Sequence, residues 1–104
     1  MENLKEKVAI VLSEVPETRN SDIALTIEIW KRYYPKYVRR GQYGDPGIYL
    51  KDLFELPRED NIKRIRAKYN SIGLYLPTEW AVAKGRGILE NEWRKAMGYN
   101  PILL

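Results

Sequence analysis

The stretch Leu56-Pro57-Arg58-Glu59-Asp60-Asn61-Ile62-Lys63-Arg64-Ile65-Arg66-Ala67-Lys68-Tyr69-Asn70-Ser71-Ile72-Gly73 decides how this chain is read. Pro57 fits the first position of a helix, where its missing N–H costs nothing. Glu59 and Asp60 follow in the first turn, at the positive end of the helix dipole. The helix, Arg58 to about Ser71, ends at Gly73, a residue suited to a left-handed stop. At 100° per residue, Ile62, Ile65, Tyr69 and Ile72 share an arc of about 80°. Asp60, Lys63, Arg64, Ala67 and Ser71 lie opposite, with Arg66 and Lys68 flanking them. Packed through its isoleucines, such a helix presents a basic ridge with a small residue, Ala67, in the middle.

That pattern suits a recognition helix. Long basic side chains reach phosphates and guanine edges, and a small central residue lets the helix approach the groove floor. Lys63, Arg64, Ala67 and Lys68 would face the major groove of double-stranded DNA, with Arg58 and Arg66 on flanking phosphates. The plain alternative is the solvated face of an ordinary helix. The neighbouring sequence favours the sharper reading. A short apolar helix, the supporting member of a helix-turn-helix, is expected over about 48–56, with Tyr49, Leu50, Leu53, Phe54 and Leu56 as its apolar surface. Leu74-Tyr75-Leu76, ended by Pro77, is expected to be extended and to begin a wing.

Further from this centre, Leu4, Val8, Val11, Leu12 and Val15 form the apolar stripe of a first helix, about Glu2 to Val15, stopped by Pro16. Asn20 or Ser21 can cap a second helix, with Asp22 in its first turn. Its apolar face reads Ile23, Ile27, Trp30 and Tyr34, widened by Leu25 and Ile29. Residues 36–47 form a loop with turn chemistry at Gly44-Asp45-Pro46-Gly47. Beyond the wing, Thr78 is expected to cap a short helix holding Trp80 and Val82. A basic turn, Lys84-Gly85-Arg86-Gly87, leads to a last helix using Leu89, Trp93 and Met97, closed by Gly98.

Two further groups carry candidate chemistry. Lys31, Arg32, Lys36, Arg39 and Arg40 are interleaved with Tyr33, Tyr34, Tyr37 and Tyr43. Such a mixture can follow a phosphate backbone and stack on bases, or be a core edge with solubilising charges. Lys31, Arg32, Arg39 and Arg40 are the secondary backbone candidates. The turn holding Lys84 and Arg86 is a weaker one, closer to an ordinary connection.

The chain has 104 residues, enough for one domain. Its 18 basic and 14 acidic residues give a net charge of +4. The charge is uneven: residues 1–30 carry −3, 31–71 carry +6 and 72–104 carry +1. A positive middle third points to a polyanion more than the total does. There is no His and no Cys. That excludes disulfides, Cys/His zinc sites and His-based nucleophile systems. Asp45 with Asp52, or Glu59 with Asp60, could serve chemistry, but their spacing suggests no metal-centred nuclease. No catalytic residue, metal, cofactor or small-molecule substrate is expected. The apolar run Val8–Leu12 is too short to span a bilayer, so a cytoplasmic protein is expected, without membrane contact.

Pro16-Glu17-Thr18-Arg19-Asn20-Ser21-Asp22 leading to Trp30, and Leu56 to Asn70 followed by Leu76-Pro77-Thr78, resemble small phage- and prophage-encoded proteins of winged-helix or helix-turn-helix type. The resemblance spans about two-thirds of the chain. It implies a viral or mobile-element origin and DNA binding, with Arg58–Ser71 in the recognition position and a very short wing. It also implies a rival: a phage protein that inhibits or adapts a host complex such as a defence nuclease. Trp80, Trp93 or Tyr75 would then be interface anchors, unless they pack in the core. The expected fold is mainly α, a single winged-helix or helix-turn-helix-like domain over residues 1–104 with at most a short β-hairpin. Core helices fill about 2–71, a short wing 72–77 and a helical extension 78–104.

Overall fold

A computed structural model describes residues 3–40 and 46–98, and the side chains of Arg40 and Pro46 are outside that description. The protein is mainly helical. Its described α-helices are α1 (Leu4–Glu14), α2 (Asp22–Tyr33), α3 (Glu59–Ser71), α4 (Trp80–Gly85) and α5 (Glu90–Ala96). Tight 3₁₀ turns occupy Pro16–Asn20, Pro35–Tyr37 and Leu50–Glu55. Two-residue strands β1 (Arg39–Arg40) and β2 (Pro46–Gly47) pair antiparallel, Arg39 opposite Gly47. No described helix is long and apolar enough to cross a membrane.

Helix α1 starts where the Asn3 side chain accepts a hydrogen bond from the Glu6 N–H at 2.9 Å. Pro16 then turns the chain into its first 3₁₀ segment. Ser21 caps α2 by accepting from the Ala24 N–H at 3.2 Å. The helices α1, α2 and α3 pack on one another through Val8, Val11, Leu12, Leu25, Ile29 and Ile62, all fully buried. Each such side chain stabilises the fold by about 1.5–3 kcal/mol.

The expected apolar face of α2 is buried only in part, with Tyr34 packed against the core. Leu25 and Ile29 are in the core, whereas Ile23 is 63% and Ile27 40% exposed. The helix is apolar on two sides, and polar neighbours decide between them. Thr26 can be buried because its hydroxyl donates to the Asp22 carbonyl at 2.8 Å. Asp22 itself must meet Arg66 on α3.

Four further expectations are corrected. The apolar segment over 48–56 is a 3₁₀ turn, with Leu56 buried but Leu50 81% and Phe54 93% exposed. Of the nine residues between Gly47 and Pro57, the 3₁₀ turn takes Leu50–Glu55, and such a turn stacks i and i+3 side chains without giving a broad packing face. No strand forms at Leu74–Leu76. Gly73 turns the chain at φ 82°, and Tyr75 also lies in the left-handed region at φ 53°. The Asn70 amide donates to the carbonyls of Leu74 and Tyr75 at 3.0 and 3.1 Å, occupying acceptors that a strand would use. Pro57 precedes α3, whose N-cap residue is Arg58. Thr78 does not cap α4; its hydroxyl accepts from Asn20 Nδ2 at 2.6 Å, and Glu79 holds the cap position.

In the C-terminal part, Trp80 and Trp93 pack with ring centres 5.6 Å apart. Trp93 Nε1 donates to the Pro77 carbonyl at 2.7 Å. Leu89 is 66% exposed, so it does not serve as α5's packing side.

Candidate nucleic-acid interface

Helix α3 has a buried and an exposed side. Ile62 is fully buried, and Ile65 and Tyr69 are half-buried against the core. Lys63, Arg64, Ala67 and Lys68 are all exposed. At helical spacing these four residues share the outward face and form a basic ridge along the helix. Ile72, expected to pack inward, is 70% exposed because the helix ends at Ser71 and the chain turns at Gly73.

Arg66 is not part of that ridge. It is 5% exposed, and its Nε and Nη2 donate to the Asp22 carboxylate at 2.9 and 3.0 Å while Nη1 donates to Asn70 Oδ1 at 3.1 Å. Its charge-bearing nitrogens are committed within the fold, so the flanking-phosphate role expected for it is withdrawn. Arg58 is at the mouth of α3, with 77% of its side chain exposed and Nε 3.4 Å from Asp60.

The basic-aromatic segment is largely self-satisfied. Arg32 Nη1 donates to Glu14 at 2.6 Å and Nη2 lies 3.8 Å from Glu28. The Glu14 hydrogen bond raises the Arg32 pKa further, so this cation ties α1 to α2. Tyr33 and Tyr34 pack against the core, and Lys7 lies over both rings at 5.3 and 5.0 Å. Lys36 covers Tyr37 at 4.9 Å and Arg39 covers Tyr49 at 5.7 Å. Each of these rings already carries a cation on one face. Lys31 is exposed. Tyr43 and Asp45, with the Arg40 side chain, lie outside the described residues.

Arg86 is anchored too. Its Nη1 donates to the Arg19 carbonyl at 2.6 Å and Nη2 lies 3.8 Å from Asp22. Burial, followed by the neighbouring Arg66 charge, lowers its pKa. This is an architectural contact, in line with the ordinary connection expected around Lys84 and Arg86. Among the described residues no group of three or more acidic side chains is gathered to hold a metal ion.

One cation was missed. Lys5 in the first turn of α1 lines a depression of about 320 Å³ together with Lys68, Tyr69 and Ile72. The Tyr69 hydroxyl donates to the Lys5 carbonyl at 3.1 Å. The positive surface therefore continues from α3 onto α1. Helical periodicity could not find this, because it does not say which end of α1 crosses α3. In comparisons with known proteins, no family model, curated protein or solved structure matches the chain.

Proposed function

We propose that this is a non-enzymatic, phage-type protein that binds double-stranded DNA, with α3 as the recognition helix of a helix-turn-helix-like core. The observation that carries the reading is the side-by-side exposure of Lys63, Arg64, Ala67 and Lys68 on a helix held from behind by buried Ile62. The major groove, about 12 Å wide, admits one helix, and a small residue amid basic ones allows close approach. Arg58, Lys31 and Lys5 are the supporting phosphate contacts. The long connection from α2 to α3 replaces the tight turn of simpler helix-turn-helix proteins, and no wing is invoked. Action on DNA in the host cytoplasm follows from this reading.

The test is duplex binding as a function of salt. Log affinity should fall with log salt, with a slope of about −0.9 per neutralised phosphate. A Lys63→Ala/Arg64→Ala variant should lose affinity and part of that slope. Absence of duplex binding at low salt, or indifference to the double substitution, overturns the reading. A stoichiometric complex with a host protein in the absence of duplex binding would favour the inhibitor or adaptor reading instead.

A further inference from the structure

We propose that the apolar cleft between α2 and the Leu50–Glu55 turn is the interface of a two-fold homodimer, in which each cleft is covered by that of a second copy. The cleft has a volume of about 670 Å³ and is lined by Trp30, Leu50, Leu53, Phe54, Arg58 and Glu59. Phe54 is 93% and Leu50 81% exposed, next to Leu53. Single exposed apolar residues are ordinary, but a contiguous group with a polar rim marks an interaction surface. Trp30 Nε1 is already satisfied by the Pro57 carbonyl at 2.9 Å, so covering the indole leaves no polar group stranded. Exposed Ile23 and Ile27 continue the stripe along α2 at i, i+4, i+7 with Trp30. A stable interface typically takes roughly 800 Å² per partner, and this stripe adds apolar surface beyond the cleft itself.

The rim selects the occupant. Arg58 and Glu59 place one cation and one anion side by side in its lining. Opposite charges side by side suit an isologous contact, where Arg58 of each copy meets Glu59 of the other. The Arg58–Asp60 pair is exposed and, at 3.4 Å, readily exchanged for such a contact. Lys63, Arg64 and Lys68 do not line the cleft, so dimerisation leaves the basic ridge open and turns only Arg58 from a phosphate contact to the second copy. Because Arg58 and Glu59 begin α3, the two copies of this helix would approach through their N-terminal ends.

Sedimentation of the full chain without nucleic acid, from low micromolar to near-millimolar concentration, tests the proposal. A reversible monomer–dimer equilibrium is expected. Phe54→Asp should raise the dimer dissociation constant at least ~30-fold, the scale of a central anchor residue, with an unchanged far-ultraviolet circular dichroism spectrum. Arg58→Glu should weaken the dimer, and Arg58→Glu/Glu59→Arg should restore it. A chain that stays monomeric throughout, or a dimer indifferent to Phe54→Asp, overturns the proposal. A charge-swapped double variant no tighter than Arg58→Glu alone overturns the reciprocal pairing. Lys63→Ala/Arg64→Ala should dimerise like the wild type, which separates this outcome from that of the DNA-binding test.

Discussion

The carboxylate of Asp22 in the first turn of α2 accepts two hydrogen bonds from the guanidinium of Arg66 on α3, at 2.9 and 3.0 Å. The pair is nearly buried, with 16% of the Asp22 and 6% of the Arg66 side chain exposed. Arg66 continues the chain of contacts to Asn70, and Asn70 holds the carbonyls of Leu74 and Tyr75. Asp22→Ala leaves a buried guanidinium without its main counter-charge. It should destabilise the protein by about 3–5 kcal/mol, read from the midpoint of urea unfolding. Arg66→Met, which removes the charge but keeps much of the volume, should cost less than Asp22→Ala.

The same pair separates two kinds of basic residue on one helix. Lys63→Ala, Arg64→Ala and Lys68→Ala should each change stability by no more than about 0.5 kcal/mol. If each contacts a phosphate, each should reduce the salt slope of duplex binding by about 0.9. Arg66→Met should do the opposite, lowering stability while leaving the slope of the folded protein unchanged. Lys5→Ala should behave as a ridge residue, because Lys5 and Lys68 border one depression.

Gly73 has φ 82°, and a Cβ built there meets no atom within 4 Å. The cost of Gly73→Ala is therefore backbone strain alone, about 1–2 kcal/mol, and should appear as a lowered thermal midpoint. Gly73→Asn should recover part of the loss, since Asn tolerates the left-handed region better than Ala.

Ile62→Ala should cost about 2–5 kcal/mol, because Ile62 is fully buried between α1 and α2, whereas Ile72→Ala should be close to neutral at 70% exposure. Comparative urea unfolding of the two variants checks the position at which α3 leaves the core.

This contrast also shows what could be read in advance. The α1 stripe of Val8, Val11 and Leu12 and the inward position of Ile62 follow from period 3.6 alone, because each belongs to a helix with one apolar side. The outward positions of Lys63, Arg64, Ala67 and Lys68 follow in the same way. Periodicity was insufficient for α2, which has two apolar sides; the choice of Leu25 and Ile29 depended on where Asp22 could meet Arg66. It also ranked Arg66 with the other basic residues, since on a wheel it is only a flanking cation. The carboxylate that claims it lies 44 positions earlier. Leu74–Leu76 carried the local signature of a strand, but the Asn70 side chain captured its carbonyls.

The attachment of the C-terminal helices has a consequence for how the protein opens. Beyond buried Leu76, Pro77 and Ala83, much of what ties α4 and α5 to the body is polar: Asn20 to Thr78 and to the Glu79 N–H, and Arg86 to the Arg19 carbonyl. Polar seams yield to water more readily than the packed interior of α1, α2 and α3. Amide protons of α4 and α5 should therefore exchange through a partial opening that leaves the three-helix body closed, making these two helices a separate cooperative unit.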